Sequence, residues 1–96
     1  PYVKAGWDES AGGIKVMIGG IKEAGDGPFP GQTEAIEGRN RDLAGVVRSI
    51  TGLPQEGGSY CYLINLTGKR SFSLEYTFTT EYRPDPTVKI VIKVKR

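Results

Sequence analysis

The strongest constraint on the fold is a period-two alternation of apolar and polar residues near the end of the chain. Residues 71–81 carry a large apolar side chain at every second position: Phe72, Leu74, Tyr76 and Phe78. Residues 87–95 alternate valine and isoleucine with lysine, and Val91 interrupts the lysine side. Because successive side chains of a strand point to opposite faces, both stretches are predicted to be strands with one buried face.

A third stretch, 59–67, alternates in the same way immediately upstream. The sequence TGKR separates it from 71–81 and offers a glycine at a plausible hairpin position. The three stretches 59–67, 71–81 and 87–95 are therefore predicted to form a three-stranded antiparallel meander.

The first third of the chain is rich in glycine. The pairs Gly12-Gly13 and Gly19-Gly20 flank a short apolar run and can supply the positive φ angles of tight turns, which predicts an N-terminal β-hairpin. The following GDGPFPGQ combines prolines with glycines and is predicted to be a loop.

From Thr33 the spacing changes to three and four residues, as in a helix. The face that this spacing defines holds Ile36, Asn40, Leu43, Val47 and Ile50, with Val46 and Leu53 at its margin. Thr33 can cap the first turn, and Gly52 and Pro54 can end the helix. An amphipathic helix is predicted over about residues 33–52.

These elements predict an α+β fold in which one helix packs on an antiparallel sheet in two layers. At 96 residues the chain forms a single domain, 1–96. Its apolar runs are far shorter than the roughly 20 residues of a membrane-spanning helix, so no membrane partner is expected.

The chemistry available to the chain is restricted, because it has no histidine and Cys61 is its only cysteine. Histidine is the commonest general base and the usual transition-metal ligand. We therefore predict no catalytic residues, no metal site and no cofactor. Whether the chain is an enzyme stays open at this point, but its composition favours a non-catalytic protein. The single cysteine favours a reducing compartment such as the cytoplasm without excluding secretion.

The segment Asp26–Asp42, DGPFPGQTEAIEGRNRD, resembles a stretch of the microbial guanyl-specific ribonucleases, which share the Asp-Gly-Pro-Phe-Pro run and a later Asn-Arg before an acidic residue. The resemblance implies a following antiparallel sheet and an arginine that holds phosphate, a part that Arg70 could take. Those enzymes use a glutamate base and a histidine acid. This chain has Leu63 and Ile64 where the glutamate should project, and it lacks histidine.

Aromatic residues in glycine- and proline-rich loops are typical contact anchors, and three are candidates here: Trp7 in the predicted loop GWDESAGG, Phe29 between prolines, and Tyr82. The chain is thus predicted to be a small non-catalytic protein-binding domain, such as an inhibitor, an immunity-type protein or an accessory or assembly factor. A partner could dock on an edge strand, or the chain could form homo-oligomers.

The alternative is a polyanion- or RNA-binding domain, including a histidine-free ribonuclease-like toxin. Residues 49–96 hold seven Lys/Arg against four Asp/Glu. The candidate contacts are basic: Arg39, Arg41, Lys69, Arg70, Lys89, Lys93 and Lys95. Lysines on a chain-terminal strand also keep an exposed edge from pairing with other chains. Two roles are therefore possible for Lys89, Lys93 and Lys95: contact with a polyanion, or protection of the strand edge.

Overall fold

The computed structural model describes residues 2–20, 28–35, 45–79 and 87–95, and these ranges contain seven strands and no helix. In chain order the strands are β1 Tyr2–Asp8, β2 Gly13–Gly19, β3 Thr33–Ala35, β4 Val47–Glu56, β5 Ser59–Leu66, β6 Phe72–Thr79 and β7 Thr87–Val94. A five-stranded sheet has the order β1-β2-β5-β4-β3, and β6 pairs with β7 in a second sheet. The α+β prediction is therefore wrong, since the described chain is all-β.

The helix predicted over 33–52 is wrong at both ends, which form β3 and β4, while residues 36–44 lie outside the described residues. The segment 46–51 is rich in β-branched residues, which favour strands because they pack well on a pleated surface. Gly52 does not end a helix. It lies within β4, where its N–H donates to the Gln32 carbonyl and its carbonyl accepts from the Gly31 N–H.

The predicted meander is wrong in one of its two pairings: 71–81 and 87–95 form the antiparallel pair β6–β7, but 59–67 does not join it. β5 is the central strand of the large sheet and pairs with β2 and β4, whereas among the described strands β6 pairs with β7 alone. The reason lies in the two faces of β5. Cys61 and Leu63 are buried on one face, while Tyr62 and Ile64 are partly covered on the other. A strand that is covered on both faces belongs inside a sheet.

The hydrophobic core lies between the two sheets. On the large sheet it is built from buried residues of β1, β2, β4 and β5, with Ile14 fully buried at its centre. Burying such a side chain contributes about 1.5–3 kcal/mol. The apolar side of the β6–β7 hairpin, including Phe72, Leu74 and Ile92, packs against this cluster. The two sheets therefore form one two-layered unit within the described residues.

The β1–β2 hairpin turns at residues 9–12. The Asp8 carboxylate accepts hydrogen bonds from the Ser10 N–H at 3.0 Å, the Ser10 hydroxyl at 2.7 Å and the Ala11 N–H at 3.1 Å. Gly12 supplies the positive φ of 70°. Trp7 and Asp8 are thus the last residues of β1 rather than part of a loop, and this fixes where the tryptophan lies. The described ranges contain no helix long and apolar enough to cross a membrane.

Candidate protein-docking edge

The outer side of β1 is a long free edge of the large sheet in the described part of the molecule. β1 and β3 are the two outer strands of that sheet among the described residues. β3 is described over three residues, Thr33–Ala35. β1 pairs with β2 through all seven of its residues without a bulge and contains no proline. Its other side, which we call the β1 edge, is paired with no described strand.

Gly6 opens a gap in the middle of this edge. A β-carbon placed at Gly6 would meet no atom of the described residues within 4 Å, and its φ is not in the left-handed range. The fold therefore does not require glycine at this position. Glycine within a strand costs roughly 0.5–1 kcal/mol relative to alanine. Such a glycine often marks a place where another backbone or a ligand approaches closely.

A shallow depression of about 570 Å³ lies around Gly6. Residues of β1 and its neighbours line it, among them Lys4, Trp7, Asp8, Glu9 and Met17. It thus combines an open backbone, apolar surface and charges of both signs, which together suit a polypeptide segment.

Trp7 is one of the residues that line the depression, and an exposed salt bridge lies beside its ring. The Lys69 ammonium lies 2.6 Å from the Glu9 carboxylate and 5.9 Å from the centroid of the Trp7 ring. Lys69 is the main cause that lowers the pKa of Glu9. The indole N–H is buried without a hydrogen-bond partner among the described residues. Trp7 is only partly buried and packs against the core, so it is a fixed ring with an accessible side.

The first residue of β1 is anchored across the sheet. The Tyr2 hydroxyl lies 2.6 Å from the Ser59 hydroxyl on β5, and the ring passes over Gly19, where a β-carbon would collide with it. The Lys4 ammonium lies 5.4 Å from the centroid of the same ring. These contacts hold β1 as a rigid edge, and they leave Lys4 exposed without an acidic partner among the described residues.

Phe29 is presented at a separate point, on a tight turn. The Gln32 N–H donates to the Phe29 carbonyl at 2.9 Å, with Pro30 and Gly31 between them and a φ of 84° at Gly31. This is the pattern of a type II turn. The Phe29 side chain is 62% exposed, so it is available as a contact residue. Tyr82, the third predicted anchor, lies outside the described residues.

The predicted basic contacts are only partly brought together. Lys89, Lys93 and Lys95, which we call the lysine row, are exposed on the outer face of the β6–β7 hairpin. Val94 pairs with Phe72, so this end of β7 lies near Lys69 and Arg70, which precede β6. Lys69 is engaged by Glu9, and Lys93 has Glu75 at 3.8 Å. Arg39 and Arg41 lie outside the described residues.

Cys61 is placed where it is a poor nucleophile. It is buried, and burial raises the pKa of its thiol, with Glu56 adding to the effect. The thiol therefore stays protonated and unreactive at neutral pH. Among the described residues no group of three acidic, cysteine or histidine side chains could hold a metal ion.

Comparisons with family models, with curated proteins and with solved structures found no significant match. Function must therefore be inferred from the geometry and charge of this chain. The sequence reasoning missed Lys4 and Gly6 as site residues. Their signal was present in YVKAGWD, where a glycine interrupts an otherwise strand-like run, but GWDESAGG was interpreted as a loop.

Proposed function

We propose that this chain is a non-catalytic protein-binding domain that accepts an extended polypeptide segment at the β1 edge. The observation that carries the proposal is Gly6, which lies in the middle of an edge that pairs with no described strand, although no described residue requires glycine there. Strand addition supplies affinity through main-chain hydrogen bonds, and neighbouring pockets supply specificity.

The surroundings of the β1 edge support this mode of binding. Tyr2 ties one end of the strand to Ser59, and Asp8 closes the hairpin at the other end. An edge that is already ordered loses little conformational entropy when a segment pairs with it. Trp7, which lines the depression, offers the kind of aromatic surface that dominates binding energy at interfaces.

The test selects linear peptides from a random displayed library on the immobilised protein and then measures their binding to two variants. Gly6→Tyr places a large side chain at the depression, and nothing described lies within 4 Å of its β-carbon. Thr77→Tyr makes a similar addition on the exposed outer face of β6 and serves as the control. We expect Gly6→Tyr to abolish binding of the selected peptides and Thr77→Tyr to leave it unchanged. Equal binding to both variants would contradict the β1 edge as the docking site.

Polyanion binding is the second candidate, favoured by the placement of Lys93 and Lys95 at the same end of the hairpin as Arg70. Two observations weigh against it. The salt bridges of Lys69 and Lys93 reduce the available charge. The aromatic residues Phe72 and Phe78 pack inward against the core, and among the described residues the outer face of the hairpin has no aromatic ring on which a base could stack. Salt-dependent binding of a mixed RNA and DNA oligonucleotide pool, lost in Lys93→Ala, would favour this function instead.

A further inference from the structure

We infer that the segment accepted at the β1 edge is β1 of a second copy of this chain, in antiparallel register about a two-fold axis at Ala5. This inference rests on the proposed function and names the partner. It would join two five-stranded sheets into one continuous sheet. A two-fold interface of this kind closes on itself and stops at the dimer.

The register follows from the seven residues of β1, whose midpoint is Ala5. Pairing about that midpoint sets Lys4 directly opposite Gly6 of the second copy. The long Lys4 side chain then lies where Gly6 leaves a gap, on the same face of the sheet. Each Lys4 side chain thus occupies the depression around Gly6 of the other copy. A long residue opposite a glycine avoids the crowding that two long side chains would cause.

The charges of this register are compatible. Directly opposite residues and their diagonal neighbours are the pairs that interact across antiparallel strands. The diagonal neighbours of Lys4 are Lys4 and Asp8 of the second copy. Asp8 is held ionised, because its hydrogen bond from the Ser10 hydroxyl and further bonds from the turn lower its pKa. The flexible lysine can therefore turn away from its symmetry mate and towards a carboxylate.

The inner face of β1, which packs on the core, also makes apolar contacts between the two copies. Val3, Ala5 and Trp7 share the inner face of β1, and the register places Val3 opposite Trp7 of the second copy. Ala5 faces its own symmetry mate, where a small side chain lets the two strands approach. Apolar residues thus meet apolar residues on this face, which removes further apolar surface from water.

The β7 edge does not offer the same self-complementarity. Antiparallel pairing of two β7 strands would bring one lysine row against another, and like charges opposite each other destabilise a strand pair. Of these two long edges, only the β1 edge can pair with its own copy without that repulsion. The contact of a seven-residue strand is small, so we expect a weak dimer that dissociates on dilution.

The test is cysteine cross-linking between two single variants, Lys4→Cys and Gly6→Cys, each made in a Cys61→Ala background. Both positions are exposed, so neither change disturbs the core. In an oxidising buffer we expect the mixture to form several-fold more disulfide-linked dimer than either variant alone, since positions 4 and 6 lie directly opposite each other while two copies of either position are only diagonal neighbours. Sedimentation of the unmodified chain should show a dimer at high concentration, and Gly6→Tyr should be a monomer.

Two results would overturn this inference. One is a chain that sediments as a monomer at every concentration together with no cross-linking in the mixture. The other is a dimer in which Gly6→Cys cross-links to itself as well as it does to Lys4→Cys. If the chain is monomeric and Gly6→Tyr still abolishes peptide binding, the second copy is the wrong partner but the β1 edge remains the docking site. If Gly6→Tyr affects neither measurement, the proposed function fails as well.

Discussion

The outer edges of β1 and β7 show two different treatments of the same physical problem. Each strand is at the margin of its sheet, is seven or eight residues long, and pairs on one side through an unbroken register. β7 and the residue that follows it present three exposed lysines, whereas β1 presents one lysine and a glycine. Charged side chains keep an edge from joining another chain, and a glycine leaves the backbone accessible. The difference indicates that one edge is closed to pairing and the other is open.

The largest expected effect comes from removing the charge of the closed edge. In the triple variant Lys89→Thr, Lys93→Thr and Lys95→Thr, β7 keeps its strand propensity but loses the repulsion between copies. Copies that can pair through both β1 and β7 can associate without limit, so we expect large aggregates by light scattering. The control replaces the same three lysines by arginine and should stay as small as the unmodified chain. Aggregation of both triple variants would show that charge is not what closes this edge.

The next effect comes from giving the open edge the charge of the closed one. Gly6→Lys should abolish peptide binding and dimer formation, because it fills the depression and sets like charges together across the axis. Its free energy of unfolding should be unchanged or higher by up to about 1 kcal/mol, since a glycine is lost from a strand interior. Denaturant unfolding and sedimentation measure the two outcomes separately. A variant that unfolds more easily would show that the fold does need glycine at this position.

A smaller effect tests whether β1 is rigidly anchored. Tyr2→Phe removes the hydroxyl that lies 2.6 Å from Ser59 and should lower the free energy of unfolding by about 0.5–1.5 kcal/mol. Tyr76→Phe is the matched control, because Tyr76 is 47% exposed and the same hydroxyl is lost there into solvent. Equal losses of stability in denaturant unfolding would show that the bond to Ser59 contributes nothing.

The smallest effect concerns the lining of the depression and depends on pH. The Glu9 carboxylate has a pKa below its ordinary value of 4.5, chiefly because of Lys69. A lowered pKa in the folded state means that the stabilisation is present above pH 4.5 and is lost as the pH falls through the folded value. Trp7 is the only tryptophan, so its fluorescence should change in this acidic range. The change should be absent in Glu9→Gln, and its persistence there would assign it to another group.

The sequence predicted the alternating strands near the end of the chain and the antiparallel pairing of β6 with β7, but not the partners of β5. Alternation specifies which side of a strand is buried, as for Phe72 and Leu74, and says nothing about which strand lies beside it. The three- and four-residue spacing of Val47 and Ile50 suggested a helix. The β-branched residues of 46–51 favour a strand more strongly than that spacing favours a helix. Gly52 also contacts the loop at residues 28–32, so closely that a β-carbon at this position would collide with the Phe29 carbonyl.

The site was predicted less well than the strands. Trp7 was chosen as an aromatic in a loop, whereas it ends β1 and packs on the core. The exposure of Phe29 follows from the turn that its own prolines and glycine predict, but its role in binding stays a prediction. Gly6 and Lys4 could not be singled out, because their importance depends on β1 being an outer strand, which no local pattern specifies.

The most direct test of the open and closed edges is amide hydrogen exchange, followed residue by residue by NMR in dilute and in concentrated protein. Pairing at the β1 edge would protect the amides that point outward from alternate residues of β1. We expect exchange at these β1 positions to slow as the concentration rises, while exchange along β7 stays the same. Concentration-dependent protection along β7 with none along β1 would contradict the account.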